Sequence, residues 1–243
     1  MMSGKIVIGD IHGALKALEQ VIAQTKIPQT DGFIFLGDYV DGWSQSAQVI
    51  DYLLVLEKKC PCVFIKGNHD DWCEQWLIED LADDEWLQHG GEATVKSYRG
   101  YSREQKEEHI SFFNRMSFFE IDDKNRLFVH AGFSSMHGPL KEHFLSNFFW
   151  DRTLWEVALA ARHLNKDITS YPKRLSLFKE IFIGHTPTTN YGSDLPIQAA
   201  NVWNVDTGAA FSGRLTAMDI ESKNIWQSDP VQSLYPNEKG RNR

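Results

Sequence analysis

The sequence predicts an α/β fold, a four-layer α/β/β/α sandwich in which two mixed β-sheets are flanked by helices, and three observations predict it. Short apolar runs rich in Val, Ile and Phe alternate with stretches of helical period. Several of these runs end in glycine, or directly in a polar residue. Further strand-like runs follow the last such unit and provide for a second sheet packed on the first.

The first run, Ile6-Val7-Ile8, leads into Gly9-Asp10-Ile11-His12-Gly13, and residues 14–24 then place Leu15, Leu18, Val21 and Ile22 on one helical face. Phe33-Ile34-Phe35-Leu36 ends in Gly37-Asp38, and residues 47–56 repeat the helical spacing with Val49, Ile50, Leu53 and Leu54. Val63-Phe64-Ile65 passes through Lys66 into Gly67-Asn68-His69-Asp70. Runs that are apolar at every position suit strands covered on both faces, and strand-helix-strand order is the grammar of a βαβ sheet. Ligand sites in such sheets lie at the carboxyl ends of the strands, where these polar residues fall.

Residues 71–119 read as a mostly helical insert. Trp72, Trp76, Leu77, Leu81 and Trp86 are spaced for a helix face, Ser102-Arg103-Glu104-Gln105 opens another helix as a capping box, and His89-Gly90-Gly91 separates the two. Two more strand-like runs follow, Leu127-Phe128-Val129 into His130-Ala131-Gly132 and Ile181-Phe182-Ile183 into Gly184-His185-Thr186. Residues 202–205, 214–220 and 224–227 read as late strands, with turns at Gly208 and Ser222-Lys223. The polar tail, residues 234–243, is expected to fray beyond Pro236.

At 243 residues one domain spanning 1–243 is the simplest expectation, and 42% apolar residues can fill its core. No run approaches the ~18 apolar residues of a membrane span. A formal charge of -8 gives no overall attraction to nucleic acid or an anionic membrane, so neither is expected as a partner. Cys60, Cys62 and Cys73 cannot all pair and lack the second cysteine pair of a zinc site. The first strand begins too early for a signal peptide, which makes the cytoplasm the expected location. Oligomeric state is not legible.

Six residues after the apolar runs are candidate metal ligands: Asp10, His12, Asp38, Asn68, His130 and His185. Imidazole mixed with carboxylate and amide oxygen suits Mn, Fe, Zn or Co, whereas calcium and magnesium prefer oxygen alone. Six donors exceed one tetrahedral ion, and a bridging carboxylate could hold two ions ~3.5 to 4 Å apart, the arrangement that clamps attacking and leaving oxygens in phosphoryl transfer.

In this order, Gly9-Asp10-Ile11-His12-Gly13, Gly37-Asp38-Tyr39-Val40-Asp41-Gly42, Gly67-Asn68-His69-Asp70, His130-Ala131-Gly132 and Gly184-His185-Thr186 make the chain resemble the calcineurin-like metallophosphoesterases. Within them it is similar to the phosphoprotein phosphatase family of Ser/Thr phosphatases. Gly184-His185-Thr186-Pro187 and Val205-Asp206-Thr207-Gly208-Ala209 look closest to small phage and bacterial phosphatases and to symmetrical diadenosine tetraphosphatases. The resemblance covers residues 5–220. It implies two divalent transition-metal ions, Mn first with Fe or Zn as alternatives: Asp10 and His12 on one ion, Asp38 bridging, and Asn68, His130 and His185 on the other. It further implies His69 as general acid paired with Asp41, whose carboxylate would orient the ring and favour the form that donates a proton. A hydroxide between the ions would attack in one inverting step.

One departure stands out. The family's second motif continues Asp-Arg-Gly, whereas Asp41 is followed here by Gly42, which removes a bidentate grip on phosphate. Trp150-Asp151-Arg152 matches a Trp-x-Arg element of the small phosphatases, so Arg152 is the candidate phosphate clamp; Arg99 or Arg103 could also reach in from the insert. Trp43 is expected to pack, and Trp72, Trp76 and Trp86 to form the core of the insert. His109, His137, His143 and His163 are expected in surface or helix-face duty, His89 near the site, and Asp206 in a structural role. The expected activity is hydrolysis of phosphate monoesters, foremost on phosphoproteins or phosphopeptides. The alternative is symmetrical cleavage of a dinucleoside tetraphosphate.

Overall fold

The computed structural model describes residues 4–25 and 31–242. The chain opens with β1 (Ile6–Ile8), α1 (Leu15–Gln24), β2 (Phe33–Phe35), α2 (Ser46–Leu56) and β3 (Cys62–Phe64). The insert contributes α3 (Asn68–Glu79), α4 (Asp84–Trp86), a π-helical turn (Leu87–Gly91), α5 (Glu92–Ser97) and α6 (Arg103–Asn114). There follow β4 (Phe119–Ile121), β5 (Arg126–Val129), α7 (Asn147–Trp150), α8 (Thr153–Ala161), α9 (Lys173–Ser176) and β6 (Glu180–Ile183). The chain closes with β7 (Ile197–Ala199), β8 (Val202–Asn204), β9 (Thr216–Asp219), β10 (Ile225–Gln227) and α10 (Val231–Leu234).

Among the described residues these strands make two five-stranded sheets, ordered β10-β9-β1-β2-β3 and β4-β5-β6-β8-β7. β1, β2 and β3 are parallel, as are β5, β6 and β8, and both sheets are completed by antiparallel neighbours. The apolar runs explain the layering. Alternate side chains leave opposite faces of a strand, so Val7, Ile34, Phe128, Phe182 and Met218 meet between the sheets. Ile6, Ile8, Phe33 and Phe35 turn the other way onto a core shared with α1, α2 and α6, and Leu127, Val129, Ile181 and Ile183 pack beneath α8. Helix, sheet, sheet, helix is the result, and the strand ends that carry the polar residues lie along one edge.

The late strands divide differently from the simple reading. β8 lies beside β6 in the second sheet, whereas β9 and β10 return to the first, with Ile6 opposite Asp219 and Ile8 opposite Ala217. Sequence reasoning missed β4 and β7, whose three residues each are too few for their alternation to stand out. In the insert, α3 stops at Asp80 with φ 55°, which leaves Leu81 exposed and puts Trp86 on a separate helix. His109 takes the helix-face place, buried on α6: the Tyr98 hydroxyl donates to Nδ1 at 2.8 Å, and Nε2–H donates to Asp51 at 3.1 Å.

The tail packs where fraying is expected. Glu238 accepts from the Ser44 amide and hydroxyl at 2.9 and 2.8 Å, and the Arg241 amide donates to the Ala210 carbonyl at 2.9 Å. Gly240 lies so close to buried Trp43 that an added Cβ would come within 2.5 Å of the indole. A polar tail can be ordered when its hydrogen-bond partners are loops elsewhere, which no local pattern reveals.

Phe128 and Phe182 stack at 4.9 Å between the sheets. Phe128→Ala is therefore expected to destabilise the protein by about 3 to 5 kcal/mol, measured by urea unfolding, while Val55→Ala on the exposed face of α2 should stay within about 0.5 kcal/mol. Equal effects from the two would contradict the layered packing.

Candidate metal centre

The turns after the strands are strained in a consistent way. His12, Asp38, Asp41 and His185 all have positive φ, between 53° and 73°. Such a backbone costs on the order of 1 to 3 kcal/mol for a residue with a side chain, though Asp and His tolerate it better than most. Hydrogen bonds hold it. The Asp38 carbonyl accepts from the amides of Ile11 and His12, both at 2.9 Å. Buried Asp70 accepts from the amides of Asp38, Gly67 and Tyr39 at 2.8 to 2.9 Å, which ties the loops after β2 and β3 together. Close approach explains the glycines: a Cβ on Gly67 would lie 2.1 Å from Asp38 Oδ1, and one on Gly184 equally near Asp10 Oδ1.

These loops bring Asp10, His12, Asp38, Asn68, His130 and His185 into one buried cluster. Asp38 Oδ2 stands 3.5 Å from His12 Nε2 on one side and 3.4 Å from His130 Nε2 on the other. His130 Nε2 is 3.3 Å from Asn68 Oδ1 and 3.2 Å from His185 Nδ1, which is itself 3.0 Å from Asn68 Oδ1. Donors bound to one ion at ~2.1 Å stand ~3.0 Å apart at a right angle and ~3.4 Å apart at a tetrahedral one. The separations around His130 and His185, 3.0 to 3.4 Å, fall in that window, and that of His12 from Asp38, 3.5 Å, lies at its upper edge. The other ring nitrogens are already engaged: Nδ1 of His12 donates to the Val40 carbonyl at 3.1 Å and Nδ1 of His130 to the Leu36 carbonyl at 2.8 Å, which turns each Nε2 inward. Asp10 Oδ1 is buried without a hydrogen-bond partner, while Oδ2 accepts from the His185 amide at 2.9 Å.

Electrostatics point the same way. Burial, then the Asp206 carboxylate, pushes Asp10 well above the usual carboxylate range, and burial with Asp38 nearby pushes Asp70 up to about 7. Burial likewise raises Asp206 to about 6. Burial drives His12 and His185 well below the usual imidazole value, keeping them neutral as ligands must be. Burial opposes charge on Asp38 and His130, but their mutual attraction prevails: His130 rises to about 10 and Asp38 falls. None of Asp10, Asp38 or Asp206 has a Lys or Arg ion-pair partner among the described residues. The cluster is a set of buried carboxylate, amide and imidazole donors in which protonated His130 balances Asp38; bound metal ions would displace that proton and supply the charge that offsets burial.

His69 sits beside the cluster, with one of its ring nitrogens, a ring nitrogen of His12 and a carboxylate oxygen of Asp38 all within 4.8 Å of one another. Its Nδ1–H donates to Asp41 at 2.6 Å. Asp41 also accepts from the Trp86 indole and the Thr94 hydroxyl, each at 2.6 Å. Outside lies a cavity of about 570 Å³ lined by Asp38, His69, His185 and Arg152, a size usual for small-molecule sites. Arg152 lines it, donating to the Thr186 hydroxyl at 3.0 Å. Arg103 instead pairs with Glu107 on the exposed surface, and neither it nor Arg99 lines the cavity.

Sequence reasoning missed the roles of Asp70, Trp86 and Thr94, and most of the cavity's rim. Trp72, read as insert core, is half-buried at the rim, where it stacks on His89 at 6.1 Å and meets Trp150 edge-on at 5.0 Å. Phe211 and Arg241 complete the wall. Asp70 could have been found, since it closes the Gly67-Asn68-His69-Asp70 motif; the others carry no local signal. Trp43 is buried, its indole donating to the Ala209 carbonyl at 2.7 Å, as expected of a packing residue.

Asp70→Asn turns one of the two oxygens that together accept three amide protons into an NH2 that accepts none. It should weaken manganese affinity about 10- to 100-fold with little loss of secondary structure, measured by calorimetric titration and circular dichroism. Unchanged affinity would show that the Asp38 loop needs no such tie.

A model of the calcineurin-like phosphoesterases matches residues 6–210. Among curated relatives, the asymmetrical bis(5'-nucleosyl)-tetraphosphatase PrpE of Oceanobacillus iheyensis is 27% identical over 235 residues, spanning 89% of this chain and 88% of its own. The protein of the same name from Bacillus anthracis is 28% identical over 249 residues, spanning 92% and 94%. Among solved structures, a metallophosphoesterase from Sphaerobacter thermophilus superposes with a TM-score of 0.56 at 15% identity, over 96% of this chain and 94% of that one. A serine/threonine phosphatase from Saccharomyces cerevisiae does so at 0.54 and 13% identity, over 100% and 84%. The chain belongs to the calcineurin-like phosphoesterase family and is a hydrolase of phosphoric ester bonds.

Proposed function

We propose that this chain hydrolyses a dinucleoside polyphosphate, with a pair of divalent transition-metal ions held at Asp38. Asp10, His12 and Asp38 would hold one ion, and Asp38, Asn68, His130 and His185 the other; manganese suits this mixed donor set, with iron or zinc as alternatives. When bound, the ions lower the pKa of water to supply the nucleophile and draw charge from the phosphoryl oxygens. Asp41 accepts from His69 Nδ1, which leaves Nε2 as the nitrogen facing the cavity. His69 gives its Nε2 proton to the leaving phosphate oxygen as the P–O bond breaks and water completes the new phosphate. Arg152 orients a phosphate beside His185, with Thr186 fixing one end of its guanidinium.

The rim of the cavity carries the choice of substrate. His89, Trp72 and Trp150 form a connected aromatic edge next to His69 and His185, and Trp150 is 41% exposed. Flat, accessible rings beside a phosphate site suit a nucleobase, whose faces stack with a gain of about 1 to 3 kcal/mol each. The sequence alone favours a phosphoprotein substrate; the rim and the relatives' names favour the nucleotide. The relatives' names also favour asymmetrical cleavage, to a nucleoside triphosphate and a monophosphate.

The test offers diadenosine tetraphosphate, an aryl phosphate and a phosphopeptide to protein stripped with EDTA and reloaded with manganese, with nucleotide products separated by chromatography. Turnover should vanish on stripping and return with manganese, kcat/KM should be highest for the dinucleotide, and ATP plus AMP should appear. Two ADP would mean symmetrical cleavage; higher kcat/KM on the phosphopeptide, or full turnover without metal, would overturn the reading. His69→Asn should lower kcat about 10²- to 10⁴-fold with metal content unchanged; a normal kcat would remove His69 as the acid.

A further inference from the structure

Position 42 lacks the family's arginine, and the structure has another arginine close to the place where a residue-42 side chain would begin. Gly42 has φ 103°, and a Cβ built on it would lie 3.2 Å from Arg241 Cγ and 3.7 Å from Cδ. Gly90 does the same from the other side: its φ is 111°, and its Cβ would lie 3.3 Å from Arg241 Cγ. The two glycines are joined by the Gly42 amide donating to the Gly90 carbonyl at 3.1 Å. Together they make a shelf without side chains, on which the aliphatic stem of Arg241 lies. The guanidinium carbon stands 5.5 Å from the centre of the Phe211 ring, within the range of a cation–π contact.

The segment that delivers Arg241 is anchored at several points. Glu238 holds Ser44, Gly240 abuts Trp43, the Arg241 amide donates to Ala210, and the Asn242 amide group donates to Gln232 at 3.3 Å. Among the described residues the Arg241 guanidinium has no carboxylate partner, while Arg103, Arg115, Arg126 and Arg174 are each ion-paired. Both Arg241 and Arg152 line the cavity. The Gly42 Cβ position that meets Arg241 also lies 3.5 Å from the His12 carbonyl, whereas Arg152 donates to Thr186, the neighbour of His185, which sets Arg241 toward the loop of His12 and Arg152 toward the loop of His185.

We propose that Arg241, carried in by the C-terminal segment, grips a substrate phosphate at the His12 end of the cavity and replaces the guanidinium that Gly42 cannot supply. Arg152 at one end and Arg241 at the other then span a chain of phosphates lying across the ions, which one arginine could not do. This rests on the phosphoesterase reading above, but not on the choice between nucleotide and phosphopeptide.

The test compares Arg241→Met, which keeps the stem over Gly42, with Arg241→Lys and, as a control, Lys239→Ala at an exposed neighbour. Manganese-loaded protein is titrated with inorganic phosphate by calorimetry, and kcat and KM are measured on the aryl phosphate and on diadenosine tetraphosphate. Arg241→Met should weaken phosphate binding and raise KM about 10- to 100-fold on both substrates. Arg241→Lys should recover part of the loss, and Lys239→Ala should leave both unchanged. Phosphate affinity and KM within twofold of the parent in Arg241→Met would overturn the proposal. If diadenosine tetraphosphate is not cleaved, the nucleotide reading fails while phosphate binding and the aryl phosphate still decide the role of Arg241. Circular dichroism and metal content that match the parent exclude a folding defect.

Discussion

One carboxylate oxygen of Asp38 lies within 3.5 Å of imidazole nitrogens on two sides, His12 from the loop after β1 and His130 from the loop after β5. Those strands belong to different sheets. The site therefore exists only because the sheets are stacked face to face with their strand ends in line, and the aromatic and aliphatic layer around Phe128 and Phe182 sets that stacking. The cost of the arrangement is local. Left-handed backbone at His12, Asp38, Asp41 and His185, together with several carboxylates buried without Lys or Arg, is strain and desolvation that a core built for stability alone would avoid. Bound cations would offset the second of these, and the hydrogen bonds of Asp70 offset part of the first.

Around the cluster, positive charge is placed sparingly. The protein is acidic overall, so a polyphosphate gains nothing from the general field and must be held by groups at the cavity itself. Two arginines without carboxylate partners among the described residues line the cavity, Arg152 just before α8 and Arg241 in the tail, and on the proposal above they would meet that need. The aromatic edge of His89, Trp72 and Trp150 adds a surface for an uncharged, flat group. The insert between β3 and β4 thus has two duties: Trp86 and Thr94 hold Asp41 in place, and Trp72 and His89 shape the mouth.

Much of this was legible in the sequence, for a physical reason. Strands buried on both faces leave uninterrupted apolar runs, and a loop that must turn sharply beside a donor leaves glycine next to Asp, Asn or His, so β1, β2, β3, β5 and β6 and the six clustered donors could be read directly. The edge strands β4 and β7 were not legible, because three residues held by a single neighbour need no pattern. Nor was Arg241, since its place depends on contacts with Trp43, Ala210 and the Gly42–Gly90 shelf, all distant in sequence. Gly42 was the visible half of that pair: its missing side chain showed that something had changed, while only the fold shows what lies above it. The partners of His109, Tyr98 and Asp51, were not legible either, because a histidine on a helix reveals nothing of what it meets.

The most direct measurement is anomalous diffraction at the manganese edge from crystals grown with saturating manganese. Two peaks ~3.5 to 4 Å apart are expected, one within coordination distance of Asp10 and His12, the other of Asn68, His130 and His185, and both of Asp38. A single peak, or two peaks that do not share Asp38, would contradict the shared carboxylate on which the site depends.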